Sequence, residues 1–285
     1  MKVLVTGGRG QLGTDVTNLL RQNRYDVYSY SSHELDITDY NQVKAVMEEV
    51  QPDVVIHAAA YTKVDLAEQE VDCAYQVNAY GTRNMVVQAE KYGAKFVYIS
   101  TDYVFDGTAD VPYHEFSRTN PQSVYGKSKL AGEQFVQSLS SRYFILRTSW
   151  VYGKHGKNFV KTMLNLAESR SELNVVHDQI GSPTYTVDLA EFIMGIIETD
   201  AYGLYHISNT GQCSWYEFAS AIFEEANRLD VKVNPITTAE YPVPAPRPAY
   251  SVFDHMSIRL NGMQLLRPWR EALQDFLKEL NVEKR

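Results

Sequence analysis

The sequence predicts an α/β fold built on a doubly wound parallel sheet, and two observations carry that prediction. Short apolar runs alternate with segments of helical length through the first half of the 285 residues. The first run ends in a glycine-rich turn, Gly7-Gly8-Arg9-Gly10-Gln11-Leu12-Gly13. Strands separated by helices pair in parallel, because each helix carries the chain back to the starting edge of the next strand.

The runs at 3–6, 27–30, 54–58, 96–100 and 144–147 read as strands, and the segments 12–23, 40–50, 73–92 and 123–139 between them have helical length and periodicity. Right-handed crossovers put the C-terminal end of every such strand on one side, and ligands of such sheets bind outside those ends. Candidate chemistry is therefore expected at 7–13, 58–62 and 100–102. After about residue 150 the rhythm degrades. Residues 1–150 read as a Rossmann-type domain, with segments at roughly 173–200 and 204–230 returning to it. The runs 173–176 and 204–207 are the candidates to rejoin its sheet. Residues 151–285 are read mainly as a smaller C-terminal substrate domain. Within it Pro242, Pro244, Pro246 and Pro248 surround Arg247, a pattern that no helix or central strand tolerates and that predicts a loop.

The glycine turn predicts a dinucleotide site. Lacking Cβ atoms, such a turn lets the backbone approach a pyrophosphate and aims N–H groups and the positive end of the next helix at its charge. A structural turn beside a tightly packed helix would use the same letters. The position directly behind an N-terminal strand, opening a βαβ unit, favours the binding reading.

Composition sets the outer bounds. With 44% hydrophobic and 22% charged residues the chain is an ordinary globular one, and a net charge of −8 without any Lys/Arg block argues against nucleic acid and anionic membrane surfaces as partners. Cys73 and Cys213 are too few for a disulfide scaffold and read as core thiols in a reducing compartment. The opening apolar run breaks at Gly7, shorter than the apolar region of a signal peptide, so a cytoplasmic protein without a membrane anchor is expected. The seven histidines show no metal-ligand spacing, and His57, on an apolar strand, reads as a satisfied core residue.

Catalytic chemistry is expected at Ser100-Thr101-Asp102 and Tyr125-Gly126-Lys127-Ser128-Lys129. A tyrosine and a lysine four apart share one helix face, so the ammonium is expected to stabilise the phenolate and lower the phenol from its usual value near 10. Tyr40 and Lys44 have the same spacing, so spacing alone does not decide. Tyr125 is favoured because Thr101, at the end of the fourth strand, can donate a hydrogen bond to the oxygen that a Tyr125 proton would reach.

With these segments in view the chain resembles the extended short-chain dehydrogenase/reductases, and within them the bacterial dTDP-4-dehydrorhamnose reductases, over nearly its whole length. The resemblance rests on the glycine turn, Leu35-Asp36-Ile37-Thr38-Asp39, Ala58-Ala59-Ala60-Tyr61-Thr62-Lys63-Val64-Asp65, Ser100-Thr101-Asp102-Tyr103-Val104-Phe105, Tyr125 to Lys129, Arg147-Thr148-Ser149-Trp150-Val151-Tyr152 and Asp178-Gln179-Ile180-Gly181-Ser182-Pro183-Thr184. It implies an oxidoreductase with Thr101, Tyr125 and Lys129 as catalytic triad. NAD(P)H would give a hydride to C4 of dTDP-4-dehydro-L-rhamnose, and the product would be dTDP-L-rhamnose. It also implies a cofactor site of Gly7, Gly10, Gln11, Leu12, Gly13, Tyr30, Ser31, Asp36, Ile37, Ala58, Ala59, Ala60, Tyr61 and Thr62 together with Tyr125 and Lys129. The sugar nucleotide would meet Thr101, Asp102 and Trp150, and Arg247 is the candidate for its diphosphate. Two bland readings stand beside these roles: Asp36 as the cap of a helix beginning near Thr38, and Trp150 as core packing.

Two departures qualify the resemblance. Where an acidic residue would take the ribose 2′-hydroxyl, the chain has Tyr30-Ser31-Ser32, and these hydroxyls with Arg9 favour NADPH, with NADH also used. Some relatives dimerise through magnesium-bridged glutamates, yet the corresponding positions are Asp15 and Val187, so no metal-built dimer is expected, only a monomer or a weak homodimer. A 4,6-dehydratase would need Glu after Asp102 where Tyr103 stands. The rivals left are another nucleotide-sugar 4-ketoreductase, an epimerase, and a non-catalytic cofactor-binding subunit of the same fold.

Overall fold

The computed structural model describes residues 1–282. Six strands form the main sheet: β1 (Lys2–Thr6), β2 (Asp26–Tyr30), β3 (Val54–His57), β4 (Lys95–Thr101), β5 (Tyr143–Thr148) and β6 (Gly203–His206). All pair in parallel, in the order β6-β5-β4-β3-β1-β2. The predicted doubly wound fold is therefore present. The chain leaves β1 for β2 on one side and returns to β3 on the other, so the strand order reverses between β1 and β3, where such sheets open a crevice. Thr6 pairs with both Tyr30 and His57, and Thr101 with Thr148, which aligns the C-terminal ends.

Alternation along the strands fills two layers. Val3 and Val5 point to one face, packing with Val16 and Leu20 of α1 (Gln11–Gln22) and Leu189 and Ile193 of α2 (Thr186–Ile196). Leu4, between them, points to the other face, where Val55, Met85, Phe96 and Val136 meet it. Each fully buried aliphatic side chain of this kind contributes about 1.5–3 kcal/mol, which is why strands so short hold the sheet together.

Helix boundaries follow from local chemistry. The helix Tyr40–Val50 spans the predicted residues because Asp39 caps its start, accepting from the N–H groups of Asn41 and Gln42, and Gln51 leaves it in left-handed geometry. The helix Val124–Leu139 starts where the Ser123 hydroxyl accepts from Gly126 N–H. The stretch 73–92, expected as one helix, is interrupted: Val71–Tyr75 and Thr82–Lys91 flank a wide-turn π segment, Gln76–Gly81.

The returning segments divide. Gly203–His206 and the helix Thr186–Ile196 do join the main sheet and its core. Glu172–Val176 does not; it pairs in parallel with Lys232–Ile236. Leu173 and Val175 bury themselves with Phe218, Ile222 and Phe276 in a second core, which also takes the helix Trp215–Glu225. Cys213 is buried as expected, whereas Cys73 is exposed on its short helix. No helix among the described residues is long and apolar enough to cross a membrane.

Candidate active site

The glycine turn is shaped by close approach. Gly7 has φ +67°, and a Cβ there would lie 2.8 Å from the Ala59 nitrogen, so the ends of β1 and β3 abut. A Cβ on Gly13 would lie 2.2 Å from the Gly7 carbonyl oxygen, and Gly10 N–H donates to that same oxygen at 2.8 Å. Gly10 caps α1 without any side-chain hydrogen bond. The leading N–H groups of a twelve-residue helix thus face the crevice with the positive end of its dipole behind them, an arrangement that suits a pyrophosphate. The side chains of Gln11 and Leu12 are engaged within the protein, which leaves their backbone toward the turn. The Gln11 side chain donates to Val151 O at 3.1 Å and accepts from Asn158, and Leu12 is buried in the core.

At the end of β3, Ala58, Ala59 and Ala60 form a half-buried shelf that leads to Tyr61 and the exposed Thr62. Asn78, in the π segment, clamps this shelf. Its side chain accepts from Tyr61 N–H at 2.8 Å and donates to Tyr61 O and to the Ser128 hydroxyl. Sequence reasoning missed Asn78; a polar residue with a glycine three positions later inside an otherwise regular helical stretch was the available signal.

At the end of β2 the structure corrects an expectation. A carboxylate is present after all, supplied by Glu34. Ser31 donates to it through both N–H (2.8 Å) and hydroxyl (2.6 Å), and Arg9 of the glycine turn pairs with its other oxygen at 3.0 Å. Tyr30 stands half-buried beside them. Asp36 is exposed and accepts from the N–H and hydroxyl of Thr38, so it shapes the turn before the helix while Asp39 does the capping. Ile37 is buried against Gly81, where a Cβ would lie 2.8 Å from its side chain.

Thr101, Tyr125 and Lys129 come together at the end of β4. Thr101 donates to Asp102 at 3.1 Å, and its hydroxyl lies near enough to the Tyr125 phenol to favour the ionised form. Tyr125 does not behave as its spacing from Lys129 suggested. Burial pushes its phenol up to about 12, against the Thr101 hydrogen bond, with Asp102 adding to the rise. Lys129 gives no relief because burial pushes its own ammonium down to about 7, with only Glu133 supporting the charge. By the pH at which the phenol ionises, that lysine is already neutral. Its ammonium lies 4.0 Å above the Tyr98 ring, and Glu133 one turn on is fixed by a buried two-pronged pair with Arg147 (2.9 and 2.7 Å) and by Ser100 at 2.5 Å. His57 is a satisfied core residue as expected, held between Thr6 and Thr82, and burial keeps it neutral with its value at about 3. Tyr40 accepts from Gln88 on an exposed surface, apart from this cluster.

The substrate-side candidates divide. Asp102 is buried, and desolvation raises its carboxyl to about 6 against hydrogen bonds from Ser251 and Thr101. Arg247 reaches the same region because the proline loop docks on Gly107, where a Cβ would lie 2.5 Å from Pro248, and Tyr250 N–H donates to Gly107 O. Its guanidinium pairs with Asp65 at 2.8 Å, sits 5.8 Å from the Tyr103 ring and keeps one buried nitrogen, Nη1, without a partner. Tyr103 in turn meets Tyr125 edge-on at 5.5 Å. Trp150 has φ +48° and stacks on Trp215 at 3.5 Å beside Gly181, so at least one of its faces is committed to packing.

Asp15 turns inward toward His155, at 3.4 Å, and Thr186, and burial raises its carboxyl. Val187 lines a separate open depression of about 800 Å³ with Glu191, Phe192 and Met263, which shares no residue with the site.

The comparisons with known proteins agree with this geometry. The RmlD substrate binding domain family matches residues 1–282. A spore coat polysaccharide biosynthesis protein of Bacillus subtilis is 47% identical over 98% of this chain and 97% of its own length. The dTDP-4-dehydrorhamnose reductase of Aggregatibacter actinomycetemcomitans is 44% identical over 96% and 97%. Among solved structures, the dTDP-4-dehydrorhamnose reductase of Bacillus anthracis in complex with NADP superposes with a TM-score of 0.96 at 51% identity, covering 98% of this chain and 99% of that one. A match over the full described length, with the glycine turn and the Thr101, Tyr125 and Lys129 cluster in place, makes this chain a member of the RmlD substrate binding domain family.

Proposed function

We infer that this protein is an oxidoreductase that reduces dTDP-4-dehydro-L-rhamnose to dTDP-L-rhamnose with NADPH, accepting NADH as well. The observation that carries the reading is the gathering of Thr101, at the end of β4, with Tyr125 and Lys129, one turn apart on the helix Val124–Leu139. The cofactor fits the residues present: a Cβ-free turn and an α1 N-terminus without a side-chain cap would hold its pyrophosphate, and the Ala58–Thr62 shelf its middle. When bound, the nicotinamide supplies the hydride.

The chain's own residues then handle the oxygen and the proton. Thr101 turns the hydroxyl proton it otherwise gives Asp102 toward the C4 oxygen as negative charge develops on it. Tyr125, fully protonated at neutral pH, gives its phenolic proton to that oxygen, which is the more basic of the two. Lys129, only part protonated at neutral pH, would lend positive charge to the phenolate once it forms and would hold the nicotinamide ribose. Asp102 and Trp150 contact the sugar nucleotide, and the unpartnered Nη1 of Arg247 supports a diphosphate contact. We assign residues 1–150, with the returning helix Thr186–Ile196 and strand Gly203–His206, to cofactor binding, and most of 151–285 to the sugar nucleotide. The enzyme is read as a cytoplasmic monomer or weak homodimer that needs no magnesium.

The test is oxidation of NADPH and of NADH with dTDP-4-dehydro-L-rhamnose, with product analysis. Stoichiometric consumption with formation of dTDP-L-rhamnose is expected. Conversion without net cofactor consumption would point to an epimerase, and cofactor binding without turnover to a regulatory subunit.

A further inference from the structure

Two donors at the end of β2 and one on the glycine turn converge on a single carboxylate, and only part of that arrangement is local. Ser31 N–H and hydroxyl on one Glu34 oxygen close a short turn, with Glu34 N–H returning to Ser31 O at 3.0 Å. The other oxygen reaches 25 residues back to Arg9. The three donors that could hold a 2′-phosphate are thus already engaged by an anion. Its side chain is 44% exposed, so it is not locked there by packing.

We propose that Glu34 sets the choice between the two nicotinamide dinucleotides, which rests on the reading that the ends of β1 and β2 hold the adenosine ribose. In place, its carboxylate accepts from the ribose 2′-hydroxyl of NADH, the role that an acidic residue fills in dinucleotide sites of this fold. With NADPH the 2′-phosphate repels it, and Glu34 swings out and surrenders Arg9 and Ser31 to the phosphate. Glu34 is therefore the residue that keeps NADH usable and holds NADPH affinity below what Arg9 and Ser31 alone would give.

The experiment is titration of NADPH and NADH into wild type, Glu34→Gln and Arg9→Gln, followed by nicotinamide fluorescence without substrate, with melting temperature as a fold control. Exposed charges of this kind contribute modestly, so Glu34→Gln is expected to tighten NADPH by about fivefold and to weaken NADH by about two- to fivefold. Arg9→Gln is expected to weaken NADPH by a similar factor and NADH by less than about twofold. Both shifts should shrink as salt rises toward about 0.5 M, as screening between exposed charges requires. A ratio of the two affinities that stays within twofold of wild type in Glu34→Gln overturns the proposal and leaves the reductase reading intact. Failure of wild type to bind either dinucleotide overturns both.

Discussion

Lys129→Met should make the protein more stable and catalytically dead, and the size of the first effect can be worked from the structure. Lys129 is 2% exposed, and burial lowers its ammonium from the usual 10.5 to about 7. A shift of three to four units corresponds to about 5 kcal/mol spent holding the charge inside the fold. A methionine of similar length keeps the packing and removes the charge, so a net gain of about 5 kcal/mol is expected at pH 6.

The pH dependence fixes the cause. Below pH 7 the lysine is protonated in both folded and unfolded chains, and the full cost is present. Between 7 and 10.5 only the unfolded chain keeps the proton, so wild-type stability recovers as pH rises; above that window the cost is gone. The advantage of Lys129→Met should therefore fall from about 5 kcal/mol at pH 6 to about 1 kcal/mol at pH 9.5. Urea denaturation followed by the fluorescence of Trp150, Trp215 and Trp269 at both pH values measures it. A variant less stable than wild type at pH 6, or an advantage that does not change with pH, would refute the desolvation argument.

Three further outcomes follow from the same cluster and its surroundings. Tyr125→Phe should lower the reduction rate by about 10²- to 10⁴-fold while NADPH affinity stays within a few-fold, as stopped-flow turnover and a binding titration would show; near-normal turnover contradicts the proton-donor role. Glu133→Gln strips the buried Arg147 of its carboxylate and should cost about 3–5 kcal/mol in urea denaturation; a loss under about 1 kcal/mol would mean the pair is solvated. EDTA should change neither the solution mass by light scattering nor the reductase rate, because Val187 offers no ligand and Asp15 is turned toward His155; a dimer that dissociates in EDTA and reforms with Mg²⁺ contradicts this.

What could be read from the sequence is what the chain encodes locally. Residues 40–50 form a helix at the expected bounds because Asp39 and Gln51 end it with their own side chain and backbone geometry. The glycine turn is equally self-contained, since Gly7, Gly10 and Gly13 interact with one another and with the first strand's neighbour. Partners distant in sequence were not readable. The apolar pattern of 172–176 says that it is a strand and which residues face inward, but its mate is Lys232–Ile236, and alternation carries no address. Glu34 was overlooked for the same reason: its meaning comes from Arg9, which only the fold brings near.

The two tyrosine–lysine pairs make the limit sharper, because they share a spacing and differ in everything else. Tyr40 and Lys44 are both exposed, where water screens any charge between them. Tyr125 and Lys129 are enclosed by Thr101, Tyr98 and the Arg147–Glu133 pair, and there burial outweighs attraction and drives phenol and ammonium toward their neutral forms. Helical spacing settles that two side chains share a face. Whether the lysine then lowers the tyrosine depends on how much water the rest of the fold removes, a collective quantity that no pair of letters contains. On the proposed reading the consequence favours reduction: a phenol pushed up to about 12 keeps its proton until a stronger base forms beside it, and a newly reduced C4 oxygen would be such a base.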